Sequence, residues 1–242
     1  MHWKGNISSV GGNSTKQTSS PEKNDDKKSD DVVKPELDVK RLLALRSNAD
    51  EQVQNVFSNR HESDEKVNFL ITGSTILDSG KPGYAERLNN ALKEAYGDAI
   101  SVQIEGFDGT SEEFLDEKID LSPGYDIVLL EPLTLKNNGL ITIEEEQQHI
   151  KTFQERLTDE TEDTVVILHP PNPIHAATYY LQQVSALKSF AESEGIPYID
   201  HWPQWPDPAT DKISSLLDDS GAPNKDGAEI WANALIEYFI AP

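Results

Sequence analysis

The stretch that decides the fold is VNFLITGSTIL, residues 67–77. Its short apolar run, Val67–Ile71, is bounded by polar residues and predicts a buried β-strand. The strand ends in Thr72-Gly73-Ser74-Thr75, which places a glycine and hydroxyl side chains at a strand-to-helix turn. Such a turn can present a nucleophile beside a helix N-terminus that stabilises an oxyanion, although Gly-Ser-Thr is also an ordinary turn and cap.

Similar apolar runs follow this stretch and alternate with helical patterns. The further predicted strands are Ile100–Ile104, Ile127–Leu130, Val165–Leu168 and Tyr198–Ile199, and the predicted helices are Ala85–Tyr96, Ile143–Leu157, Thr178–Glu194 and Ala228–Ile240. This order predicts an α/β fold, a three-layer α/β/α sandwich with a parallel, flavodoxin-like sheet over residues 63–242. Ligands of such sheets bind beyond the carboxyl ends of the strands.

The chain before this domain has two parts. Residues 1–35 are polar and carry little to bury, which predicts a disordered, protease-sensitive stalk. Residues 36–62 have apolar side chains spaced by three and four, which predicts one amphipathic helix that packs on the domain or pairs with another helix. Met1-His2-Trp3-Lys4 is typical of a sequence just outside a membrane anchor, so we expect an upstream anchor or signal and an extracellular, tethered or secreted protein.

The composition excludes several function classes. With 43 acidic and 21 basic residues, the formal charge of −22 argues against nucleic acid as a partner. The chain has no cysteine, and its six histidines do not have the spacing of zinc ligands. We therefore expect no metal or organic cofactor, and no membrane contact except through an N-terminal anchor.

Two further strand-end loops carry polar groups. Residues 106–111 (GFDGTS) follow the second predicted strand, and residues 131–139 (EPLTLKNNG) follow the third. Together with residues 72–75, these loops would bring hydroxyls, glycine amides and a carboxamide to one sheet edge. These groups are the components of an acyl-transfer site.

Two segments, residues 218–232 (DDSGAPNKDGAEIWA) and Gly73-Ser74-Thr75, carry a resemblance to a known family. The first is similar to the D-x-x-H-P-N-x-x-G-H segment and the second to the Gly-Asp-Ser block of the SGNH/GDSL hydrolases, which the sequence resembles over about 175 residues. Gly109 resembles the oxyanion glycine, and Asn137 or Asn138 the oxyanion asparagine. The tracts 170–173 (PPNP) and 200–203 (DHWP) resemble the secreted, membrane-anchored branch of Gram-positive bacteria.

The resemblance implies a serine nucleophile, a histidine base and an aspartate that orients the base. Asp219 matches the aspartate, whereas Thr75 holds the nucleophile position and Ser74 lies one residue early. Alanine holds both histidine positions, at Ala222 and Ala228. Another histidine could supply the base, for which the candidates are His169, His175 and His201; alternatively, the alanines are inactivating replacements, or the domain is a binding protein.

The resemblance therefore implies an ester hydrolase or O-acyltransferase that acts at the cell surface on an O-acylated glycan or a small ester. The alternative is a catalytically impaired domain that binds cell-envelope glycans. We also expect that Ala222→His and Ala228→His cost little stability. Two lesser hypotheses are a glycosidase carboxylate pair among Glu131, Asp108 and Asp78, and sugar stacking on a set of tryptophans, Trp202, Trp205 and Trp231.

Overall fold

The computed structural model describes residues 39–117 and 119–242. Four parallel strands form its sheet in the order β2-β1-β3-β4. They are β1 Val67–Ser74, β2 Ile100–Phe107, β3 Ile127–Leu130 and β4 Val165–Leu168. The fifth predicted strand is reduced to a single bridge between Tyr198 and Leu168. The prediction of a parallel α/β sheet is therefore confirmed.

The helices are α1 Val39–Leu45, α2 Glu51–Glu62, α3 Tyr84–Tyr96, α4 Ser111–Asp116, α5 Thr134–Asn137, α6 Ile143–Glu160, α7 Tyr179–Glu194 and α8 Lys225–Phe239, with short 3-10 helices at Thr75–Asp78, Gly97–Ala99, Trp202–Gln204 and Asp211–Leu216. One core cluster contains Leu88 of α3 and Leu235 of α8. The other contains Ile150 of α6 and Leu187 of α7. Side chains of successive strand residues point to opposite faces, so the entirely apolar strands β3 and β4 bury both sides of the sheet, which gives three layers.

The strand order determines where in the sheet a ligand site is expected. The chain leaves β1 for β2 on one side of it and later adds β3 on the other. In register, Gly73 lies beside Gly106 of β2, and Thr72 lies beside Leu130 of β3. The carboxyl end of β1 is therefore a topological switch point, where open α/β sheets bind ligands.

The segment before the sheet is two helices rather than the one predicted. The helix breaks between α1 and α2, where the Ser47 hydroxyl donates to the carbonyl of Ala44 at 2.9 Å and competes with the helical backbone bonds. α2 packs on the domain, because Val53 and Phe57 are buried and the Phe57 ring stacks on Tyr96 at 4.7 Å.

The predicted stalk, residues 1–35, lies outside the described residues. Within the described ranges, no helix combines the length and the apolar character needed to cross a membrane.

Candidate active site

A cleft of about 750 Å³ lies at the carboxyl edge of the sheet. Its walls come from the loops after β1, β3 and β4 and from the turn before α8, and include Thr75, Leu135, His175, Asp218, Asp219 and Ala222. The fold thus brings Thr75 and Asp219, which are far apart in the sequence, to one cavity. Its volume lies in the range of small-molecule sites.

The turn after β1 exposes one hydroxyl and buries the other. Thr75 is exposed and lines the cleft, whereas Ser74 is only 2% exposed. The Ser74 backbone N–H donates to Glu131 Oε2 at 2.9 Å, which holds the turn against the end of β3. Thr75 begins a 3-10 helix of four residues. Of these two hydroxyls, that of Thr75 is therefore the one that a ligand in the cleft can reach.

Close packing explains the glycine before these residues. A Cβ on Gly73 would lie 2.6 Å from Glu131 Cβ, nearer than two such carbons approach. Glu131 is 1% exposed, and burial raises the pKa of its carboxyl group. Hydrogen bonds from Ser74 and from the backbone N–H groups of Leu133 and Thr134 act in the opposite direction and lower this pKa. Its carboxyl group therefore anchors backbone within the core.

The glycosidase hypothesis required solvent-facing carboxylates. Glu131 is buried, and the exposed Asp108 pairs with Lys136 at 2.6 Å between Nζ and Oδ1. This pairing gives no access to two free carboxylates on opposite sides of a sugar. Asp78, the third candidate, is exposed but, like Asp108, lies outside the residues that line the cleft, so the structure does not bring a carboxylate pair together there.

The proposed oxyanion residues lie outside the residues that line the cleft. Asn137 is fully buried: its Oδ1 accepts from the Ser111 backbone N–H at 2.8 Å, and its Nδ2 donates to Glu146 Oε2 at 2.6 Å. Asn138 is exposed. Gly109 packs beside Phe107, to which a Cβ would approach within 2.5 Å. The Asn137 amide thus serves the core, because its polar atoms are already used there.

Two candidate bases belong to the core. His169 and His201 are fully buried, and each accepts at Nδ1 an indole N–H, from Trp231 at 3.3 Å and from Trp205 at 2.9 Å. His201 Nε2 then donates to the carbonyl of Pro170 at 2.8 Å. Burial lowers the pKa of His201 to about 4 and that of His169 well below its usual value. Neither imidazole can exchange protons with a ligand in the cleft.

The same contacts decide the role of the tryptophans. Trp231 is fully buried between Tyr84, at 4.1 Å between ring centroids, and His201, at 4.5 Å. Trp205 is 6% exposed, and half-buried Trp202 donates its indole N–H to the carbonyl of Pro171 at 2.8 Å. Trp231 and Trp205 therefore pack the core and offer no face to a sugar.

The turn before α8 keeps an aspartate available. Asp218 Oδ1 accepts from the backbone N–H groups of Ser220, at 2.9 Å, and Ala222, at 3.1 Å, and so fixes the turn. Asp219 is exposed and makes no hydrogen bond or ion pair with the described residues. Ala222, in the histidine position, is half-buried and lines the cleft. The geometry therefore leaves room for an imidazole at position 222.

Ala228 differs from Ala222. It is 1% exposed and packs on Gly80, where an added Cβ would lie 2.5 Å from Ala228 Cβ. This packing contradicts the premise that a side chain at position 228 can reach water, so we expect Ala228→His to cost stability.

The structure also shows two histidine contacts that the sequence did not indicate. Ser111 Oγ lies 2.8 Å from His149 Nδ1, and His175 Nε2 lies 3.4 Å from Asp211 Oδ1. In each pair the partners are more than thirty residues apart in the sequence, so no local sequence motif predicts the contact. Among the described residues, no group of three or more histidine, aspartate or glutamate side chains could hold a metal ion.

The fold is similar to that of solved esterase and GDSL-family structures. An acetylxylan esterase from Geobacillus stearothermophilus superposes with a TM-score of 0.59 and 16% identity, over 72% of this chain and 94% of that one. A protein described as a GDSL-like lipase from Parabacteroides merdae gives 0.60 and 13%, over 72% and 95%.

A protein of the G-D-S-L lipolytic family from Desulfitobacterium hafniense gives a TM-score of 0.59 and 16% identity, over 72% of this chain and 99% of that one. No family model and no curated protein matches the sequence. At these identities the likeness establishes the fold, and the chemistry has to be argued from the residues of this chain.

Proposed function

We propose that this protein is an ester hydrolase or O-acyltransferase that uses the Thr75 hydroxyl as its nucleophile. The observation that carries the proposal is the cleft, which holds exposed Thr75 together with Asp219 at the carboxyl edge of the sheet. A threonine hydroxyl can form a covalent acyl intermediate when a base accepts its proton. This chemistry requires only a hydroxyl, a base and oxyanion donors.

The substrate that we propose is an O-acylated glycan or a small ester. One of the structural neighbours is an acetylxylan esterase, which supports an acetylated sugar. The formal charge of −22 is compatible with a neutral sugar and unfavourable for a polyanion.

We place the protein at the cell surface, tethered through the segment before residue 36. Digestion of intact cells with an external protease tests this location. The protein should be degraded while a cytoplasmic marker survives, and protection of both would contradict the proposal.

The test of the activity is hydrolysis of p-nitrophenyl acetate and acetylated xylo-oligosaccharides. Thr75→Ala should lower turnover by about a hundredfold or more, as for the removal of a nucleophile. Thr158→Ala is the matched control, because Thr158 is exposed on α6 and outside the cleft. Equal rates for Thr75→Ala and the parent protein would show that Thr75 is not the nucleophile.

A second candidate function is a glycan-binding module of the cell envelope without turnover. The observation in its favour is alanine at both family histidine positions, Ala222 and Ala228. Calorimetric titration with the same oligosaccharides separates the candidates. Saturable binding without product, unchanged in Thr75→Ala, would favour the binding module; Thr75-dependent product would exclude it.

A further inference from the structure

The cleft contains one imidazole from the described part of the chain. That residue is His175, which lines the same cavity as Thr75. His169 and His201 are fully buried, and His149 pairs with Ser111. A reaction at Thr75 therefore has His175 as the histidine that a substrate in the cleft could reach.

The loop that carries His175 is fixed at several points. The backbone N–H of Ala176 donates to the carbonyl of Pro208 at 3.1 Å, which joins the loop to the segment that leads to Asp211. Asn172 Nδ2 donates to the carbonyl of Gly221 at 3.1 Å, which joins it to the turn that carries Asp219 and Ala222. These bonds hold the loop between the two segments that complete the cleft.

One ring nitrogen of His175 lies beside the exposed carboxylate of Asp211. Its Nε2 lies 3.4 Å from Asp211 Oδ1, and its side chain is 40% exposed. No described residue hydrogen-bonds to its Nδ1. An imidazole whose one nitrogen faces a carboxylate keeps its proton on that nitrogen and presents the other as the proton acceptor.

We propose that His175, oriented by Asp211, is the general base of this protein, in place of the histidine that position 222 lacks. The inference rests on the proposed function. As Thr75 Oγ1 bonds to the ester carbonyl carbon, His175 Nδ1 takes the hydroxyl proton. When the tetrahedral intermediate collapses, the carbon–oxygen bond to the alcohol breaks and Nδ1 returns the proton to the leaving oxygen.

The second half-reaction uses the same residues in reverse. Water, or an acceptor alcohol in acyl transfer, gives its proton to Nδ1 and attacks the acyl carbon. The bond to Thr75 Oγ1 then breaks, and Nδ1–H restores the threonine hydroxyl. Each proton that Nδ1 takes up is returned within the cycle, so the reaction needs no further reactant. Asp211 is a positioning residue, since it acts only through the imidazole.

The test measures p-nitrophenyl acetate turnover by the 242-residue chain with His175→Ala, Asp211→Asn and His61→Ala. His61 is the matched control, because it lies on α2 outside the cleft. His175→Ala should lose about a hundredfold in kcat, within the range of general-base contributions, while His61→Ala keeps the parent rate. Asp211→Asn should lose about tenfold, because the ring stays but its orientation relaxes.

Chemical rescue distinguishes a base from a structural side chain. After subtraction of the enzyme-free reaction of imidazole with the ester, free imidazole should raise the rate of His175→Ala by about tenfold and leave the parent and Thr75→Ala unchanged. Thr75-dependent turnover that His175→Ala does not reduce would overturn the role of His175 and leave the proposed function standing. A parent protein without Thr75-dependent turnover would overturn both. A loss in His175→Ala without rescue, with unchanged melting, would also overturn the role as base.

Discussion

An imidazole introduced at position 222 should create a second base in the cleft. Ala222 lines the cavity with Thr75, and the hydrogen bond from its backbone N–H to Asp218 Oδ1 fixes its backbone. Because Asp218 already holds the turn, the carboxylate of Asp219 remains available to orient the new ring. Ala222→His therefore places the three components of a hydrolytic triad in one cleft.

The expected gain follows from what a positioned base contributes. General bases supply about 10²–10⁴-fold, and an unoptimised ring should recover the low side of this range, a gain of at least about tenfold in kcat. The gain should be larger in His175→Ala, because that protein has no competing base. It should disappear when Ser74 and Thr75 are both alanine.

The assay is hydrolysis of p-nitrophenyl acetate by purified variants whose melting curves confirm that they are folded. Ala222 is half-buried beside the open cleft, so the variant should melt close to the parent protein. If folded Ala222→His shows no gain in kcat, in both the parent and the His175→Ala backgrounds, the reasoning is refuted. The cleft would then lack a competent nucleophile, and the binding function would be favoured.

Three further predictions concern stability and are measured by urea unfolding. Ala228→His should cost about 1–3 kcal/mol because the ring has no space beside Gly80, and an unchanged midpoint relative to Ala222→His would contradict this packing. Trp231→Ala should cost about 3–5 kcal/mol, far more than Trp202→Ala, because Trp231 is fully buried against Tyr84; equal losses would refute this. Burial raises the pKa of Glu146 from 4.5 to about 7, so the folded protein binds this proton more tightly than the unfolded chain does. The free energy of unfolding should therefore fall by about 3 kcal/mol as the pH rises through this interval. Glu146→Gln should reduce this pH dependence, and the same dependence in the parent and in Glu146→Gln would show that Glu146 is not its cause.

The strands and most helices could be predicted because their signals are local. Each buried strand of a parallel sheet is covered on both faces, so Ile127–Leu130 has to be a continuous apolar run. The long helices α6 and α7 were predicted from the period of their buried residues, with ends correct within a few positions. The break between α1 and α2 was missed, because hydrogen bonds within a turn leave the apolar spacing intact.

The sequence by itself determined that the strand-end loops lie at one sheet edge, because parallel strands end on the same side, but not which of these loops line the cleft. It also determined that Ala222 cannot supply a base, because a methyl group has no lone pair that could accept a proton. Only the tertiary structure decided which polar side chains face solvent. Asn137, His169 and His201 stand in loops or at element ends as Thr75 and His175 do, yet Ser111, Trp231 and Trp205 bind them inside the core. Partners so distant in the sequence are selected by packing, and burial then removes a side chain from the chemistry of the cleft.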